Sequence, residues 1–280
     1  MSKIVMQDKE FLYENASIPV INKLQDNDVN NFKNAINQEG SFTSCNFGNS
    51  SYSCNLIGTL STGDIIQVLL PLSNQNSSND SDISISIDGG TTYYNLLDKT
   101  QEFNLKASDF EYNDIYLRAV FNGSNFVLIS PDRVKSYIVL QISAEQSMSS
   151  SNNNYVINYD TVLYQKGERL TKAIATGSAN GVKVGVGVKN IRVSQAVQAN
   201  NNNASSDMYF LAYVYVAGSI ASRCITPAIV TGASVGITNA TLSMPVSEND
   251  TIYGQVYKSR QTGIATIGTG ARTQLIVEEI

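Results

Sequence analysis

The chain has no histidine, the side chain that most often serves as general base, triad member or metal ligand near neutral pH. Most hydrolytic schemes are thereby removed. What remains for covalent chemistry is a carboxylate pair of the kind that cleaves glycosidic bonds, and 24 Asp and Glu residues permit such a pair without marking one. Three cysteines, Cys45, Cys54 and Cys224, cannot all pair within one chain, and a protein folded in the cytosol keeps them reduced. Cys45 and Cys54 flank a short loop and are able to bridge after release from the cell, but neither belongs to a CxxC pattern. No metal site is implied. The glycine-rich stretches GVKVGVGVK and TGIATIGTGAR are followed by β-branched strands rather than by the helix that a phosphate loop needs. The expectation is a protein without catalytic residues, cofactor or metal.

Aromatic side chains offer a different chemistry. In DMYFLAYVYVAG, Tyr209, Leu211, Tyr213 and Tyr215 share one face of a strand, while Phe210, Ala212, Val214 and Val216 share the other. Both faces are apolar. One face suits the core of its own sandwich, and the tyrosine face suits an interface, because tyrosine combines a large apolar area with a polar tip. A second pair, Tyr93 and Tyr94, follows the DGG turn, where rings beside amides suit sugar binding. The blander alternative places one of these two rings in the core and the other at its rim.

The elements that carry these residues are strands. At 280 residues, 42% hydrophobic and 15% charged, the chain has material for two compact cores, and its polar excess lies in Asn, Ser and Thr. A net charge of -5 argues against a nucleic-acid groove. No segment reaches the roughly 18 continuous apolar residues of a membrane span, and MSKIVMQDKEFLYE lacks a signal-peptide core, so synthesis in the cytosol is expected. Residues 1–40 differ from the rest: Val29, Phe32 and Ile36 recur at helical spacing, so the segment is expected to be a short helical arm. Residues 41–132 read as a small antiparallel β-sandwich built on SYSCNLIG, DIIQVLLPL, DISISIDGG and DIYLRAVFNGSNFVLIS. Within it Ile83, Ile85 and Ile87 face the core, opposite Ser84 and Ser86, and Asn122-Gly123 predicts a tight hairpin. Residues 134–280 carry seven or eight strand-like runs, with a β-bulge expected near Lys189 and Asn190, where the apolar parity switches from Val182, Val184, Val186 and Val188 to Ile191 and Val193.

The order GDIIQVLLPL, ISIDGG, DIYLRAVFNGSNFVLIS resembles small modules of phage tail fibres, which implies a spacer or glycan-contacting domain. The last half, with its aromatic central strand, TIYGQVYKS and TQLIVEEI, is similar to the complement/TNF-like jelly roll. That resemblance implies a homotrimer closed by aromatic strands, with Tyr209, Leu211, Tyr213 and Tyr215 at its interface. Together the resemblances imply an all-β bacteriophage virion protein, a tail or head fibre. Residues 1–40 would either bind tail, baseplate or capsid proteins or fold back on their own oligomer, and a host polysaccharide would be met through Tyr93 and Tyr94 of the 41–132 module or through loops 200–206 and 217–223 of the 134–280 head. The alternative is a head fibre or capsid decoration protein of purely structural role.

Overall fold

The structure, a computed structural model, describes residues 42–56, 60–149, 154–202, 207–241, 243–260 and 263–280. The arm expected over 1–40 and its helix lie outside the described residues. Two compact units divide between Asp132 and Arg133.

The first unit is one sheet. Its strands are β1 (Thr43–Ser44), β2 (Asn46–Gly48), β3 (Ser51–Ser53), β4 (Ile65–Leu70), β5 (Ser84–Ser86), β6 (Tyr94–Leu97), β7 (Ile115–Phe121) and β8 (Phe126–Ser130). They lie in the order β1-β4-β7-β8-β6-β5-β3-β2. The outermost strands β1 and β2 are separated in the chain only by Cys45, so the sheet curls until its edges almost meet. This nearly closed barrel replaces the expected two-layer antiparallel sandwich, and three of its pairings, β1 with β4, β3 with β5 and β6 with β8, are parallel. Ile66, Val68, Ile83, Ile85, Leu117, Phe126 and their neighbours fill it.

The hairpin expected at Asn122-Gly123 joins β7 to β8, with Phe121 opposite Phe126. The loop runs from Asn122 to Asn125, only Gly123 has positive φ (99°), and the Asn122 side chain accepts hydrogen bonds from the amides of Ser124 and Asn125. Ser86, expected on the outer face of its strand, is fully buried because its hydroxyl donates to Asp88 (2.7 Å) and accepts from the Gly90 amide (2.8 Å) beneath the DGG turn.

The second unit contains β9 (Tyr137–Gln141), β10 (Gln146–Met148), β11 (Asn154–Val156), β12 (Thr161–Lys166), β13 (Leu170–Thr176), β14 (Ala179–Val184), β15 (Asn190–Asn201), β16 (Phe210–Val216), β17 (Ser219–Ile225), β18 (Ser234–Ala240), β19 (Met244–Pro245), β20 (Thr251–Lys258), β21 (Ala265–Ile267) and β22 (Gln274–Glu279). One sheet runs β12-β9-β22-β15-β18, the other β13-β14-β20-β16-β17, with the short strands on their flanks. Counting only the eight principal strands β9, β14, β15, β16, β17, β18, β20 and β22 in chain order, the sheets read first-eighth-third-sixth and second-seventh-fourth-fifth. This alternation between layers is a jelly roll, the architecture of many viral capsid and lectin domains.

The parity switch at Lys189 and Asn190 therefore has another cause than a bulge. β14 and β15 belong to different sheets, and the chain crosses between them through Gly187, whose φ is 81°. Inward side chains of both sheets, including Leu140, Val182, Val193, Val214, Val256 and Val277, form one core. Gln195 and Tyr159 are a polar pair within it: the Gln195 amide donates to the Tyr159 hydroxyl at 2.8 Å, directly over Gly254, and burial pushes the Tyr159 hydroxyl up. At the mouth of this unit Arg133 donates both terminal nitrogens to the Glu279 carboxylate, which also accepts the Ser136 amide. Entry and exit of the chain are thus clasped side by side.

Candidate functional site

β16 lies between β17 and β20, and its burial alternates strictly: Phe210, Ala212, Val214 and Val216 are inside, Leu211, Tyr213 and Tyr215 outside. Register then fixes what surrounds the outer residues, because directly opposed positions of antiparallel strands share a face. Leu211 stands between Ile225 and Tyr257, Tyr213 between Arg223 and Gln255, and Tyr215 between Ile220 and Tyr253. Tyr209, just before β16, continues the face by tilting against Tyr257 with ring centroids 6.4 Å apart.

The Tyr215 and Tyr253 rings stack in parallel at 4.9 Å, and Tyr213 tilts against Tyr215 at 6.2 Å. Burial, then the neighbouring Tyr253 and Tyr213 hydroxyls, push the Tyr215 hydroxyl up. Five tyrosines, three large aliphatics, one guanidinium and one amide thus share one outer face. Ile220 and Ile225 are 54% and 62% exposed, so nothing among the described residues covers its edge. Such a surface can desolvate against another surface and satisfy the phenolic tips at its rim.

The four residues expected on this face, Tyr209, Leu211, Tyr213 and Tyr215, are brought together. Tyr253, Tyr257, Ile220, Ile225 and Arg223 join them without having been anticipated. The alternation Ile252, Tyr253, Gly254, Gln255, Val256, Tyr257 carried the signal for the two tyrosines. The expected loop 217–223 is instead mostly strand, since only Ala217 and Gly218 turn (φ 49° and 76°) before β17 begins at Ser219. Of loop 200–206, Asn200 and Asn201 belong to β15, and residues 203–206 lie outside the described residues.

Tyr93 and Tyr94 do not share a surface. The Tyr94 ring packs edge-on against Phe121 (5.1 Å) and Phe126 (5.7 Å), while Tyr93 lies outside with its hydroxyl folded towards Gly90. The first unit does present another ring pair: Phe42 meets the exposed Tyr116 edge-on at 5.0 Å. In the second unit a recess of about 310 Å³ is lined by Gln146, Val156, Asn158, Thr176, Gly177, Ser178 and Ala179. It offers amides and hydroxyls but no ring. Among the described residues, no three His, Cys, Asp or Glu side chains gather as metal ligands, and no helix is long and apolar enough to cross a membrane.

Topology and surface show that the described residues are largely β, the second unit being a jelly roll with an aromatic outer face. No family model matches the sequence, and no curated protein matches it. Among solved structures, murine APRIL at pH 5.0 is similar over 52% of this chain and 100% of its own, at 13% identity and a TM-score of 0.38. PRD1 vertex protein P5 is similar over 52% of this chain and 98% of its own, at 14% identity and a TM-score of 0.30. The infectious bursal disease virus Gt strain structure spans 79% of this chain and 54% of its own, at 12% identity and a TM-score of 0.32. Overlaps this loose carry no weight of their own; the strand order carries the fold.

Proposed function

We propose that this chain is a structural component of a bacteriophage virion, a trimeric tail or head fibre that contacts a host-surface glycan and acts without covalent chemistry. The observation that supports it is the uncovered tyrosine face of β16 and β20. Five partly exposed tyrosines with Ile220 and Ile225 combine apolar area with polar tips, the composition that interface cores favour. A closed ring of three copies hides such a face, and it multiplies a weak sugar contact into useful avidity. The amide- and hydroxyl-lined recess and the exposed Phe42–Tyr116 pair are the surfaces left for that sugar contact.

The test joins two measurements on the full chain: solution mass by light scattering, and retention on host cells and on their purified surface polysaccharide. A trimer retained by the polysaccharide supports the reading. A trimer without host preference that binds capsid instead identifies a decoration protein of structural role. A monomer overturns the fibre.

A further inference from the structure

The β2–β3 hairpin turns through Asn49 and Ser50, both with positive φ (51° and 60°), a two-residue turn of the kind that sets a hairpin's register without a bulge. Gly48 opposes Ser51, Phe47 opposes Tyr52 and Asn46 opposes Ser53. One step further, Cys45 faces Cys54. Hydrogen-bonded and non-hydrogen-bonded pairs alternate from the turn, so Cys45 and Cys54, like Phe47 and Tyr52, occupy a non-hydrogen-bonded position. Their backbone groups agree, since the Cys45 amide donates to Leu69 (2.9 Å), the Cys54 amide to Ser86 (2.9 Å), and the Cys54 carbonyl accepts from Gly89 (3.1 Å).

Cα atoms at such a position lie about 4.5 Å apart with side chains converging, inside the roughly 4.4–6.8 Å window of disulfides. Both side chains point inward beside the Phe47–Tyr52 ring pair, and both belong to the same buried core. The Cys54 thiol donates to the Ser86 carbonyl (3.4 Å), and each thiol is the largest influence on the other, pushing Cys45 up and Cys54 down. Cys224, in the other unit, has no such neighbour among the described cysteines.

We propose that Cys45 and Cys54 form a built-in disulfide site, which closes by exchange when the folded chain meets a small-molecule disulfide. The Cys54 thiolate attacks one sulfur of the reagent and expels a thiolate. Cys45 then gives up its proton and attacks the Cys54 sulfur, which expels the second. Two protein thiols are oxidised, one reagent disulfide is reduced to two thiols, and the two protein protons end on them. Because the pair is buried, exchange proceeds through opening of the hairpin. Once closed, the bond ties β2 and β3 to the point where the edges of the sheet meet.

The full chain is incubated with oxidised glutathione until its thiol count is constant, then acid-quenched, unfolded, alkylated and digested with trypsin. No Lys or Arg lies between the two cysteines, so one peptide carries both. The expected product is that peptide lighter by two hydrogen atoms and without alkyl groups, identically in the Cys224→Ser chain. Two alkyl groups on the peptide, a glutathione retained on it, or a cross-link to Cys224 overturns the proposal.

Discussion

Three groups converge on one oxygen of Asp88: the amides of Thr91 and Thr92, each at 2.9 Å, and the Ser86 hydroxyl at 2.7 Å. The Thr92 amide, followed by the Ser86 hydroxyl, brings the carboxyl from 3.8 down to about 2. A folded-state value below the unfolded one adds stability that is fully present above the unfolded pKa and is lost as pH falls through the folded pKa. The urea midpoint of the first unit is therefore expected to drop between about pH 5 and about pH 2, and the drop is smaller in Asp88→Asn. Equal drops in the two proteins remove Asp88 as the cause. In the second unit, Arg133 and Glu279 are nearly buried. Arg133→Met leaves a carboxylate without its cation, and a loss of about 3–5 kcal/mol in denaturant unfolding is expected. The reach from Arg133 to Glu279 is a contact across most of the second unit, and no local pattern announces it. Asp88 was legible only as part of a turn; its role as the acceptor that pulls Ser86 inside depends on the Asx geometry of that turn.

Among the elements, strands long enough to alternate could be read directly. The inside and outside of β16 follow from DMYFLAYVYVAG, because eight successive residues leave no other assignment of faces. β1, β2, β3 and β5 have two or three residues each, too few for a period, and their pairing is set by barrel closure. Crossings between layers were hidden for a related reason. A strand that ends and restarts in the other sheet shifts parity just as a bulge does, so β14 and β15 looked continuous. β17 looked like a loop because an edge strand can carry polar residues on both faces, Arg223 outside beside Tyr213 and Ser219 and Ser222 opposite Val216 and Val214. Gly254, the apparent weak point of TIYGQVYKS, is required by the layer behind it, where a Cβ would overlap the Gln195 amide and the Tyr159 hydroxyl. Gly254→Ala is expected to cost about 1–3 kcal/mol by overpacking, measured by thermal or urea unfolding. A neutral result would mean that the Gln195–Tyr159 pair relaxes freely.

For the whole molecule, the proposed trimer through the tyrosine face is the property to test. Replacing Tyr215 and Ile225 by Glu places two carboxylates on an outer surface that the fold itself does not use. The double variant is expected to keep the circular dichroism and unfolding midpoint of its monomeric unit while its light-scattering mass falls from three copies to one. If the mass stays at three copies, another face holds the trimer. The sequence pattern brought four of these residues to notice, whereas the width of the patch depends on the register of β16 with β17 and β20, a long-range property. The clasp between Arg133 and Glu279 has a further consequence of a modular kind. A unit in which Arg133, at its start, grips Glu279, in its final strand, needs only a narrow gap in whatever chain receives it. The jelly roll of residues 133–280 can thus be moved as a cassette into a surface loop of another protein, or its ends joined and new ones opened at the Ala217–Gly218 turn, with its layer order unchanged.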